Sequence, residues 1–214
     1  MIAKLSLTLA AIAALSGPVW SAQPISEQYM VNAQYRGGVK KGFSDIGRGH
    51  AVYQQLSPMS FKVEVEGRAH HPNKSNDYVF DMSQTFQVAG NEIRLTGTEK
   101  MNLNENAKQN EAQLTEMMPF AYLARTLPVP GGGGDQTRML NYRGQSYALR
   151  YRQAEGALEV TVYRGEEMLG KFFLGSDPGP QMAQLQKFRV AIPEDHLMVS
   201  FVVTSGMALE QSQQ

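Results

Sequence analysis

Four histidines, a serine in a partial nucleophile elbow, a glycine run and one basic segment are the residues of this chain whose types and spacing bear on chemistry. His50, His70, His71 and His196 are the imidazoles available to a metal or to acid–base work. His70 and His71 are adjacent, so on a strand their side chains leave opposite faces. A turn before Pro72 would gather one of them with Asp77 or His50. No HxH, HExxH or carboxylate-rich loop accompanies them, so the pattern favours solvated turn histidines, and no metal is expected. The chain holds no Cys, which removes thiol nucleophiles, Cys zinc sites, iron–sulfur centres and disulfides. Its 12 methionines are scattered, without the MxxM or MxM grouping of a copper(I) site. Adaptable core filling is their commoner use.

Nucleophilic and phosphate chemistry fare no better. Ser146, in Gly144-Gln145-Ser146-Tyr147, lacks the last Gly of a GxSxG elbow and sits between two strand patterns rather than between strand and helix. Gly131–Gly134 follows Pro128-Val129-Pro130 and precedes Asp135-Gln136-Thr137, which is not the strand before or the Gly-Lys-Ser/Thr after that a P-loop needs. The motifs therefore favour a non-catalytic role without a cofactor. A hydrolase with a site assembled from distant residues is an alternative. The segment 36–50 is the most basic. Read as a turn between two strands, its Arg36, Lys40, Lys41 and Arg48 would present cations to an anionic headgroup, with a modest, salt-screened attraction.

The N-terminus reads as an address. Lys4 precedes an apolar run from Leu5 to Leu15, followed by Gly17 and Pro18, the pattern of a cleavable signal peptide over residues 1–21 with cleavage after Ser21. The run is short for a bilayer span, and no later stretch approaches that length. The expected location is the periplasm, with no stable membrane span. A net charge of zero argues against a nucleic-acid partner.

The elements that would carry these residues are mostly strands. Phe61, Val63 and Val65 alternate with Lys62, Glu64 and Glu66; Tyr78, Phe80 and Met82 share a face; Tyr147, Leu149 and Tyr151 alternate with Ala148, Arg150 and Arg152; Leu158, Val160 and Val162 alternate with Glu159, Thr161 and Tyr163. Period two with turn signals between the runs predicts an antiparallel, mainly β domain over residues 22–209, with about eight to ten strands. One helix interrupts them near residues 110–127. Asn110 and Gln113 are placed as a capping box. Leu114, Met117, Met118 and Ala121 form one apolar face, and Pro119 must kink the helix or begin a second short one at its first turn. A Pro/Gly-rich loop follows over 128–135, and a polar tail over 210–214.

A curved antiparallel sheet, or half-barrel, packed on a single kinked helix is the expected fold; a two-sheet β-sandwich would use the same alternation. In architecture this resembles the half-barrel lipoprotein carriers and lipid-binding periplasmic proteins. The resemblance implies a binding or carrier module for a lipophilic or envelope-derived ligand, with Leu114, Met117, Met118, Phe120, Ala121 and Tyr122 lining or lidding the cavity. The alternative is an envelope structural or interaction protein that recruits a partner protein through its sheet edges.

Overall fold

The computed structural model describes residues 24–35, 44–70, 77–126, 135–154, 157–175, 185–192 and 197–208. The signal segment, residues 128–134 of the Pro/Gly loop, the tail, and Arg36, Lys40 and Lys41 lie outside them.

Five strands come first: β1 (Ile25–Tyr35), β2 (Ser44–Ser57), β3 (Ser60–His70), β4 (Asp77–Ala89) and β5 (Glu92–Leu103). Two helices follow, the one-turn α1 (Glu105–Lys108) and the longer α2 (Glu111–Thr126). Six more strands complete the order: β6 (Gln136–Tyr142), β7 (Gln145–Ala154), β8 (Ala157–Arg164), β9 (Glu167–Gly175), β10 (Leu185–Ile192) and β11 (Leu197–Ala208). The fold is mainly β with one main helix, as the alternation predicts. The described residues hold eleven strands rather than eight to ten, and much of the segment expected as a basic turn is the start of β2. Among the described residues no helix is long and apolar enough to cross a membrane.

The strands make one sheet, not two stacked sheets. Its order is β6-β7-β8-β9-β10-β11-β1-β2-β3-β4-β5, and every neighbouring pair in that series is antiparallel. The sheet curls until its two edge strands touch. β5 and β6 meet in parallel over only two residue pairs, Glu92 with Asn141 and Ile93 with Tyr142. The result is a strongly curved sheet with a seam, rather than a barrel sealed by full ladders.

Alternation sets the interior. Phe61 faces Phe86 across β3 and β4, and Val63 faces Gln84; on the other side Leu149 faces Val162 and Tyr151 faces Val160, which in turn faces Phe172. All of these are buried. Hairpin chemistry fits its sequence: Arg143 and Gly144 both have positive φ (51° and 73°), the type I′ turn that matches the twist of the strands on either side.

Where β1 to β4 bend, two inward positions carry glycine. Tyr29, Gly49, Gly67 and Phe80 lie opposite one another in one row. A Cβ on Gly49 would stand 2.4 Å from the Tyr29 ring and 2.7 Å from the Glu66 carbonyl oxygen, and one on Gly67 would stand 2.5 Å from the Phe80 ring. The two aromatic rings thus lie flat on bare backbone and supply the side-chain mass that the glycines lack. Gly49→Ala is expected to lower stability by about 1–3 kcal/mol, with Tyr29→Ala in the same chain relieving part of the clash. Urea denaturation of the single and double variants measures this.

Candidate functional site

α2 fills the concave side of the sheet, and the sequence shows why it stays helical there. Ala, Leu, Met, Glu and Gln dominate its length, all strong helix formers. Asn110 directly precedes it, and its carbonyl accepts from the Leu114 amide at 2.9 Å. Asn104 caps the preceding turn α1, its side chain accepting from the Ala107 amide at 3.0 Å. Pro119 stands inside α2.

The helix does not bury a single face. Thr115 through Phe120 and Tyr122 through Arg125 are all buried, so it is enclosed nearly all round. Of the six residues expected to line a cavity, Met117, Met118, Phe120 and Tyr122 belong to the buried core, while Leu114 and Ala121 pack against it half-buried. Aromatic contacts hold them. Tyr122 stacks on Phe61 with centroids 4.1 Å apart, and Phe61 stacks on Phe86 at 5.3 Å. Phe120 meets Tyr147 at 4.8 Å and Tyr142 edge-on at 6.4 Å.

Two charged fastenings, neither read from the sequence, tie the helix to the sheet. Near its N-terminal end, Glu116 accepts from the Tyr147 hydroxyl at 2.6 Å and from Arg164 Nη1 at 2.8 and 3.0 Å, while Arg143 donates to the Thr115 hydroxyl at 3.1 Å. At the C-terminal end, Arg125 donates through both terminal nitrogens to the two oxygens of Glu27, each at 2.7 Å. The guanidinium also lies 4.0 Å from the centre of the Tyr53 ring. The side chains of Arg125 and Glu27 are 0% and 5% exposed. The available signal was Glu27 itself, a carboxylate in phase with Tyr29 and Val31 on an inward strand face.

Some interior polar atoms find no hydrogen-bond partner among the described residues: Gln84 Oε1, Arg125 Nε and the Tyr151 hydroxyl. Burial pushes the phenols of Tyr53, Tyr122 and Tyr151 from 10.0 up to about 12. At Tyr53 the Arg125 charge opposes that rise and Glu27 adds to it. Tyr147 is raised by burial and by donating to Glu116. The fold stabilises these phenols in their neutral form. That contribution is whole below pH 10 and is lost as pH rises toward about 12. An absorbance titration of tyrosinate is therefore expected to show a late group of phenols that ionises together with alkaline unfolding, followed by circular dichroism.

Outside the sheet, Arg48, the described member of the basic set, is exposed. It lines a groove of about 680 Å³ with Met30, His50, Glu66, Val79 and Asp81, so two carboxylates share the groove with it. The two described histidines are held apart, while His71 and His196 lie outside the described residues. His50 Nε2 lies 2.6 Å from the Ser26 hydroxyl, whereas His70 pairs with Asp77 at 3.0 Å. Hydrogen bonds from His70 and then Arg68 hold the Asp77 carboxyl below the usual carboxylate range. Among the described residues no three His, Asp or Glu side chains gather as a metal site.

No family model matches the chain, and no curated protein matches it. Among solved structures the likenesses are distant. A beta-barrel-like protein of the domain of unknown function DUF1849 from Brucella abortus is 9% identical, with a TM-score of 0.45 over 88% of this chain and 99% of that one. A DUF1329 family protein from Desulfovibrio piger is 9% identical, with a TM-score of 0.34 over 92% of this chain and 89% of that one. A proposed outer membrane lipoprotein-sorting protein domain from Vibrio parahaemolyticus is 7% identical, with a TM-score of 0.33 over 88% of each. Likeness at this level carries no function across.

Proposed function

We propose that the protein is an exported, non-catalytic binding or carrier module for a lipophilic ligand of the periplasm or cell envelope, held between α2 and the concave face of the sheet. One observation carries this reading. The curled sheet encloses a helix whose contact residues are adaptable methionines and aromatics, and that interior also holds buried polar atoms without partners. An apolar enclosure with a few isolated polar groups is the make-up of a small-molecule site, whereas a purely structural core satisfies its polar atoms. Met117 and Met118 have the torsional freedom to repack around an acyl or isoprenoid chain. Leu114, Phe120, Ala121 and Tyr122 complete the lining. The signal-like first 21 residues support export, and Arg36, Lys40, Lys41 and Arg48 are proposed to meet an anionic headgroup.

Native mass spectrometry of protein purified from its own envelope, followed by lipid extraction, tests the reading. A co-purifying lipid, with saturable uptake of a polarity-sensitive naphthylamine probe that the extract displaces, is the expected result. Protein that is consistently empty and takes up no probe overturns it. A second reading, recruitment of a partner strand, is favoured by β5, whose outer edge is paired only at Glu92 and Ile93. Pull-down of an envelope protein that is lost when Thr96 or Thr98 is replaced by Pro would support that reading instead, since Pro removes edge donors.

A further inference from the structure

The curled sheet has one weak line. Each antiparallel neighbour pair is registered over five or more residue pairs, the shortest being β9 with β10, but β5 and β6 share two. What holds the seam is small. The Asn141 amide donates to the Asn91 carbonyl at 2.7 Å, and the Asn141 side chain donates to Glu92 Oε1, also at 2.7 Å. Glu92 is exposed and Asn141 half-buried, and a bond so near solvent contributes little to stability. Directly behind this clasp the interior is apolar. Ile93 and Tyr142, the second seam pair, are buried, and Tyr142 touches Phe86 and Phe120 edge-on. Beyond Ile93, residues 94–96 and 98–100 of β5 are exposed. Nowhere else among the described strands is the core separated from solvent by so few ladder bonds.

We propose that the β5–β6 seam is the portal of the ligand site, that Glu92–Asn141 is its clasp and Ile93–Tyr142 its inner gate, and that it admits a single extended acyl chain. This rests on the carrier reading above and adds the route and the ligand's shape. Parting the two pairs opens a slot about one strand spacing wide, roughly 4.8 Å. Such a slot passes one hydrocarbon chain end-on and excludes paired chains. The rims are polar at Asn141 and Glu92, so the chain enters tail first past Tyr142 toward Phe120 and the methionines while the headgroup stays outside in water. Opening leaves the nine other strands and both fastenings of α2 in place.

The natural absence of Cys makes the test clean. Glu92→Cys with Asn141→Cys places two thiols on facing residues of adjacent strands, within the range of about 4.4–6.8 Å between Cα atoms that a disulfide spans. Ser57→Cys with Ser60→Cys, facing residues of the β2–β3 hairpin, is the control. Uptake of cis-parinaric acid, a single unbranched polyene acyl chain that fluoresces in an apolar site, is followed by stopped-flow fluorescence. The reduced seam variant, which lacks the clasp side chains, is expected to load several-fold faster than wild type, and the oxidised one at least about tenfold more slowly than wild type, as for a gated step, with fast loading restored on reduction. The control disulfide should leave loading unchanged. Asn141→Ala, which lacks the side-chain clasp, should load several-fold faster than wild type. Equal loading by the oxidised and reduced seam variants overturns the portal while leaving the carrier reading intact. Failure of the wild-type protein to take up the probe at all overturns both.

Discussion

Arg125→Met is expected to lower the unfolding free energy by about 3–5 kcal/mol, the magnitude for stripping one partner from a buried ion pair. The reason lies in what stays behind. Glu27 projects inward from β1, its side chain 5% exposed, and Arg125 meets both of its oxygens at 2.7 Å. With methionine in place of arginine, the volume is roughly kept but the carboxylate faces the Tyr53 ring and apolar neighbours alone. It must then take up a proton or draw in water, and either costs stability. The pair itself is worth far less than its breakage suggests, because desolvating both charges offsets most of their attraction. The double variant Glu27→Gln, Arg125→Met should therefore recover most of the loss. Urea unfolding of the wild type, both single variants and the double variant measures the coupling. A loss below about 1 kcal/mol for Arg125→Met would mean that water already reaches the pair, since that is the range of exposed pairs.

The same pair shows why part of the fold was not legible in the sequence. The strands that follow simple alternation, β3, β4, β7 and β8, are found within a residue or two of where the pattern puts them, since most of their inward positions are apolar and each face declares itself locally. β1 and β2 break the rule at the positions that face inward. Glu27 is a charge on the core side, neutralised by a helix residue 98 positions away. Gly49 leaves a blank that Tyr29 fills from the neighbouring strand, and at Gly47 the Arg68 and Ala69 backbone leaves no room for a side chain. Neither compensation is visible in a window of ten residues. The helix was legible in its bounds and in the residues it offers the core, but its one-sided face was not what formed. A helix enclosed on every side has no solvent face, and Thr115, Glu116 and Arg125 are tolerated inside because sheet residues satisfy them. Nothing in β5 or β6 announces the seam, because a two-residue parallel contact is set by how far the whole sheet curls.

Met118→Asp tests whether that enclosed helix is core. Met118 is 4% exposed, beside Met117 at 5% and the fully buried Phe120. The two arginines that fasten α2 are already committed, Arg125 to Glu27 and Arg164 to Glu116 and Glu167. The expected loss near neutral pH is a few kcal/mol, on the order of 3. Its pH dependence carries the argument further. Burial raises the folded-state pKa of the new Asp above its unfolded value of about 3.9. The fold then disfavours the ionised form, so the defect is least below pH about 4, where both states are protonated, and grows as pH rises through the raised folded value. Met118→Leu, which keeps the volume and adds no charge, should change stability by less than about 1.5 kcal/mol. Urea unfolding of both variants near neutral pH and near pH 4 separates the cases. A Met118→Asp protein as stable as Met118→Leu at neutral pH would mean that the helix opens to water at that turn, and with it the apolar enclosure on which the proposed carrier role rests.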